Sequence, residues 1–99
     1  MSIHMTARFQ VRPKSLEICK QAITDFIAYI RENEPGTSLY CSLHEQEDET
    51  AFLHYFIFED ETAREKHRES IGVKRFTDVL YPELVGEVEF MAYNMYTTT

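Results

Sequence analysis

Two histidines offer the clearest chemistry in this chain of 99 residues. His67 follows the acidic stretch 59–61 and lies in a charged segment that is typical of a surface helix. A neutral imidazole near pH 7 can accept a proton from a bound molecule. His67 is therefore the first candidate for a catalytic group. The alternative is that His67 is an ordinary surface histidine in a charged helix, next to Lys66 and Arg68.

His54 is the second catalytic candidate. It lies in the apolar run 51–58, where alternation places it on the same strand face as three phenylalanines. A histidine buried there needs a hydrogen-bond partner, and Tyr40 and Ser42 on the neighbouring predicted strand are the obvious ones. Such a histidine would position a substrate or relay a proton. The alternative is a structural core histidine.

The aromatic residues predict an apolar site for a flat organic ligand. Phe52, on the same strand face as His54, belongs to this aromatic group. The alternative is that these side chains form ordinary core, with Tyr40 as an amphipathic core residue. The predicted substrate-binding residues are Met5, Tyr40, Ser42, Phe56, Phe58 and Phe76.

Several other kinds of site have no support in the sequence. The four histidines show no HxH or HExxH spacing, and Cys19 and Cys41 form no CxxC pair. There is no glycine-rich phosphate loop and no GxSxG motif. We therefore predict no dedicated metal site, and we interpret both cysteines as small buried residues.

Composition and charge narrow the class of protein further. A chain of 99 residues predicts a single domain spanning 1–99. The net charge of -7 and the pI near 5.0 argue against nucleic acid as a partner, because phosphate binding needs clustered Lys and Arg. No signal peptide and no membrane-spanning apolar run is visible. We expect a cytoplasmic protein that has no membrane partner.

Hydrophobic periodicity predicts six elements in the order strand, helix, strand, strand, helix, strand. The first helix begins at the cap Ser15, the second opens at Asp60 or Thr62, and Gly72 is expected to interrupt the second. This order predicts an α+β, ferredoxin-like βαββαβ fold, with an antiparallel four-stranded sheet and both helices on one face. The predicted bounds are strands 3–11, 37–44, 51–58 and 87–96, a first helix that ends at 34–36, and a second that ends at 81–82.

The third and fourth predicted strands are apolar on both faces, although helices can cover only one face. A monomer would leave Leu53, Tyr55, Ile57 and one side of the last strand in water. That is more exposed apolar surface than soluble monomers usually carry. The pattern therefore predicts a homodimer that buries the open sheet face.

The chain also resembles a known family, the antibiotic biosynthesis monooxygenase (ABM) group within the dimeric α/β-barrel proteins. The matching segments span nearly the whole chain: 7–13, 34–37 with Tyr40, 58–61, 66–70, Phe76 and 80–82. The resemblance implies a homodimer in which two sheets face each other as a barrel, with a small-molecule pocket between sheet and helices in each subunit. It also implies oxidation of polycyclic phenols or quinols by molecular oxygen without metal or flavin. Relatives degrade haem or isomerise small sugar-derived signals.

The chain departs from the family pattern at three places. Phe58 stands where many members have Trp, Ala7 stands where haem-degrading relatives have Asn, and Gly72-Val73 replaces a His-Phe pair that often follows the family histidine. His67 aligns with that histidine. We therefore predict a cofactor-independent monooxygenase that acts on an aromatic or quinol-like molecule and does not degrade haem. The alternatives are a non-catalytic small-molecule-binding or accessory protein and a small-molecule isomerase.

Overall fold

The computed structural model describes residues 1–99 and contains one antiparallel sheet with helices on one face. The sheet order is β2-β3-β1-β4, so the two hairpin strands lie to one side of β1 and the last strand lies to the other. The predicted ferredoxin-like α+β fold is confirmed. The strands are β1 (Ile3–Gln10), β2 (Thr37–His44), β3 (Ala51–Phe58) and β4 (Glu89–Tyr93), and the helices are α1 (Leu16–Asn33), α2 (Glu61–Arg68) and α3 (Ile71–Leu80).

The second predicted helix is two helices, and the break does not lie at Gly72. Asp60 caps α2 through a 2.8 Å bond from the Ala63 N–H to Asp60 Oδ1. The Ser70 hydroxyl then accepts the Val73 N–H at 3.1 Å and starts α3. Gly72 is buried inside α3, where a Cβ would lie only 2.2 Å from the Tyr29 ring. The glycine therefore lets the tyrosine of α1 approach α3 closely.

The predicted start of the first helix at Ser15 is confirmed, since α1 begins at the next residue, Leu16. The Ser15 hydroxyl makes no capping bond, however, because it donates to the carboxylate of Glu83, a residue distant in the chain. The last strand is shorter than predicted, because its pairing with β1 runs only from Glu89 to Tyr93. None of the helices has both the length and the apolar character that a membrane crossing requires.

The sheet has a covered face and an open face. Residues paired across neighbouring strands share a face, so Ala7, His54 and Ser42 lie together beneath the helices. Leu53, Tyr55 and Ile57 lie on the open face, where they are half-buried by neighbouring strands. Strongly exposed apolar side chains on that face include Leu43 at 52% and Met91 at 58%.

Candidate active site

A cavity of about 80 Å³ lies between the covered sheet face and the helices. Of its 14 lining residues 11 are hydrophobic, so an apolar surface surrounds very few polar groups. β3 and α2 each supply one histidine, β2 supplies a tyrosine, and α1 and α3 close the outer side. Five of the predicted site residues line this one cavity: Tyr40, His54, Phe56, His67 and Phe76.

The other three predicted binding residues lie on the same face but outside the cavity. The Phe58 ring is buried against His67, with the two ring centroids 5.1 Å apart. Ser42 is in register with His54 but lines a separate groove beneath α1. Met5 lies beside Arg64, whose Nη1 is 3.9 Å from the Met5 sulfur. The alternation of apolar and polar residues predicts the correct sheet face. It does not predict which positions along a strand lie beside the cavity between the sheet and the helices.

His67 is held by a carboxylate that is not among the predicted site residues, that of Glu34. Glu34 Oε1 lies 2.7 Å from His67 Nδ1 and also accepts a 2.8 Å hydrogen bond from the Thr37 hydroxyl. The two side chains of the pair are only 7% and 12% exposed. Because a carboxylate oxygen is an acceptor, His67 Nδ1 carries the hydrogen, and Nε2 has no protein partner. Glu34 Oε2 is buried without any hydrogen-bond partner.

Aromatic rings fix the orientation of the His67 imidazole. The centroids of the surrounding rings lie between 5.1 and 6.0 Å from the imidazole centroid. Ordered packing of this kind keeps the paired histidine in one orientation beside the cavity. These rings belong to Phe26, Tyr40, Phe56 and Phe58.

His54 has a different environment from His67. It is 1% exposed, and its Nδ1 lies 2.8 Å from the Tyr40 hydroxyl, so one of its two predicted partners is present. Burial lowers the pKa of His54 to about 4, which keeps the imidazole neutral near pH 7. Burial, followed by the nearby charge of Glu34, raises the pKa of the Tyr40 hydroxyl far above its ordinary value. His54 Nε2 is buried with no partner.

A second space, of about 290 Å³, lies between α1 and α3 on the outer side of the cavity. Phe26 and Phe76 line both spaces. Their rings stack with centroids 4.4 Å apart and planes within 8° of parallel. This stacked pair is the partition between the outer groove and the inner cavity. Phe26 was not selected from the sequence, because its position in the helical stripe is that of any core residue.

No three His, Cys, Asp or Glu side chains come together in a group that could hold a metal ion. The polar side chains that line the cavity are those of the two histidines, Tyr40, Thr77 and Tyr81. Their chemistry is proton transfer and hydrogen bonding.

Comparison with solved structures shows close likeness of fold. A protein from Bacteroides thetaiotaomicron whose name places it among the antibiotic biosynthesis monooxygenases has a TM-score of 0.90 at 18% identity, over 97% of this chain and 90% of its own. A conserved protein from Methanosarcina mazei Go1 has a TM-score of 0.86 at 22% identity, over 94% of this chain and 91% of its own. SnoaB, a cofactor-independent oxygenase from Streptomyces nogalater, has a TM-score of 0.83 at 14% identity, over 98% of this chain and 95% of its own.

At these identities the structural likeness establishes the fold alone, and no curated protein sequence matches the chain. A family model gives the assignment. The model described as antibiotic biosynthesis monooxygenase matches residues 2–79, which include every element up to most of α3 and every predicted site residue. The chain therefore belongs to the antibiotic biosynthesis monooxygenase family.

Proposed function

We propose that this protein is a cofactor-independent monooxygenase that oxidises a small aromatic or quinol-like molecule bound beside His67. The observation that carries the proposal is the buried Glu34–His67 pair, whose histidine lines an apolar cavity. Glu34 accepts the hydrogen bond from Nδ1–H, so the remaining ring nitrogen, Nε2, is the one that can act as a base. The family assignment supports the same class of reaction.

The proposed reaction begins when His67 Nε2 removes the hydroxyl proton of the substrate. The resulting anion adds molecular oxygen at an activated ring carbon, which forms a C–O bond and, after protonation, a hydroperoxide. The O–O bond then breaks, the C–H hydrogen of that carbon leaves as a proton, and one oxygen departs as water while the other stays as a carbonyl. The substrate supplies every electron that reduces the oxygen, so the balance needs no external reductant.

The proposal includes a homodimer that buries the open sheet face. Its support is the apolar surface on that face, including the exposed side chains of Leu39, Leu43 and Met91. Soluble monomers seldom expose so much contiguous apolar surface. The family resemblance leads to the same arrangement.

The test is oxygen consumption with a panel of 1-naphthol, anthrone and 1,4-dihydroxynaphthalene, corrected for uncatalysed oxidation. His67→Ala should lower kcat by roughly 100-fold or more, the usual contribution of a general base. Glu34→Gln should lower kcat less, because the amide oxygen still accepts the Nδ1 hydrogen but the negative charge is lost. His44→Ala is the matched control, since His44 lies in a separate groove beneath α1.

Two results would count against the proposal. If the panel binds but consumes no oxygen beyond the uncatalysed rate, the protein is a binding protein for these molecules. If oxygen is consumed but His67→Ala keeps the full rate, the Glu34–His67 pair is structural.

A further inference from the structure

One buried polar atom on the covered sheet face makes no hydrogen bond within the protein. His54 Nε2 is buried and unpartnered, whereas Nδ1 of the same ring has a partner in the Tyr40 hydroxyl at 2.8 Å. A buried donor or acceptor that makes no hydrogen bond destabilises a fold by about 1–3 kcal/mol. An unused group of this kind beside a cavity points to a ligand atom as its partner.

The tautomer of His54 follows from counting hydrogen bonds. If the Tyr40 hydroxyl donates to Nδ1, only the Nε2 hydrogen lacks a partner. If Nδ1–H donates to Tyr40 instead, both the hydroxyl hydrogen and the Nε2 lone pair lack partners. The first arrangement leaves fewer groups unsatisfied. His54 therefore presents an N–H donor, and its low pKa keeps that donor neutral near pH 7.

Phe76 covers this donor. Its ring stacks on the His54 imidazole with centroids 6.0 Å apart and also on Phe26 with centroids 4.4 Å apart. The same phenylalanine thus separates the 290 Å³ groove from the 80 Å³ cavity. A cavity of roughly 150 Å³ is needed to take up benzene, so the inner cavity alone cannot hold an aromatic ring. Together the two spaces reach the size of ordinary small-molecule sites, roughly 300 Å³ upward.

We infer that Phe76 is a gate over the unpartnered Nε2–H group of His54. The ligand is a flat ring with a carbonyl-type oxygen, and this oxygen accepts a hydrogen bond from His54 Nε2–H once Phe76 has moved. This inference rests on the proposed function and narrows its substrate class to hydroxylated rings that carry a keto or quinone-like oxygen. The two histidines then have different roles. His67 removes a proton, and His54 polarises the oxygen on which negative charge develops, as neutral imidazoles do in other enzymes.

The first experiment uses the free protein. Long-range ¹H–¹⁵N NMR of the histidine side chains distinguishes the two neutral tautomers, and the four histidines of the chain can be assigned by single substitution. We expect hydrogen on Nε2 of His54 from pH 7 down to below pH 5. Hydrogen on Nδ1 would overturn the inference.

The second experiment compares 1-tetralone with tetralin, which has the same rings and no oxygen. The wild-type protein should bind the ketone about three- to tenfold more tightly, the usual worth of one hydrogen bond. The infrared stretching frequency of the ¹³C-labelled carbonyl should also be lower in the wild-type complex than in an apolar solvent. Both effects should disappear in Tyr40→Phe/His54→Phe, a pair of changes that leaves no hydroxyl unpartnered. Equal binding of the two ligands, or a preference that survives in the double variant, would refute the donor assignment.

The gate is tested by binding kinetics. Phe76→Leu should raise both the association and the dissociation rate of 1-tetralone by about two- to tenfold, the contribution of one aromatic pair. Ile30→Val is the control, since Ile30 is buried in the same core cluster as Phe76 but lines neither space. Unchanged rates in Phe76→Leu would refute the gate. These readouts need no turnover, so a failure of the oxygenase proposal and a failure of this inference remain distinguishable.

Discussion

The burial of His54 makes a quantitative prediction about stability and pH. The ring is 1% exposed, its one hydrogen-bond partner is Tyr40, and its other neighbours include Phe9 and Phe76. No charged group stabilises a proton on this imidazole, so burial lowers its pKa from 6.5 to about 4. This difference corresponds to about 3 kcal/mol, since each pH unit is worth about 1.4 kcal/mol.

The sign follows from which state binds the proton first. As the pH falls below about 6.5, the unfolded chain protonates this histidine while the folded protein does not, so protonation favours unfolding. The contribution of neutral His54 to the free energy of unfolding is complete above pH 6.5. It is lost at about 1.4 kcal/mol per pH unit as the pH falls towards 4.

The assay is urea unfolding of the wild-type protein and of Tyr40→Phe/His54→Phe across pH 4 to 8. One low protein concentration should be kept throughout, because the pI near 5.0 favours association within this range. The free energy of unfolding of the wild type minus that of the variant should be flat above pH 6.5. It should then fall by about 3 kcal/mol by pH 4. A difference that stays constant across the range would show that His54 titrates normally and would refute the burial argument.

Three further predictions test other parts of the molecule. Ile57→Glu should convert the proposed dimer to a species of 11.7 kDa in light scattering, because an unpaired charge buried at an interface costs several kcal/mol. A wild-type protein that is itself monomeric would contradict the proposed interface. Gly72→Ala should lower the free energy of unfolding by about 1–3 kcal/mol, since its Cβ would lie 2.2 Å from the Tyr29 ring. In the double variant with Tyr29→Ala most of that loss should disappear. If the losses of the two single variants simply add, the clash is contradicted. Mixing the protein with haemin and a reductant should leave the Soret band intact, as expected from Phe58 and Ala7, and steady conversion to a bilin-like product would disprove this.

Much of the fold could be read from the sequence, because short-range periodicity reports which face of an element is buried. The alternation in Ala51–Phe58 placed His54 on the covered face, and register with the neighbouring strand then brought it near Tyr40. The capping bond of α1 and the break between α2 and α3 were harder to predict, because side-chain hydrogen bonds compete for the same residues. Ser15 turned out to bond Glu83, and Ser70 rather than Gly72 divided the second helical stretch.

The candidate site depended on contacts that no local pattern encodes. Glu34 and His67 are 33 positions apart, and in the sequence Glu34 is merely the residue before a helix-ending proline. The stacking of Phe26 on Phe76 likewise depends on how closely α1 approaches α3, which Gly72 permits. By itself the sequence determined the elements, their faces and the family, since hydrophobic burial acts through spacing of a few residues. Only the tertiary structure decided which side chains meet across the cavity and how much space remains, because both depend on the packing of helices that are distant in the chain.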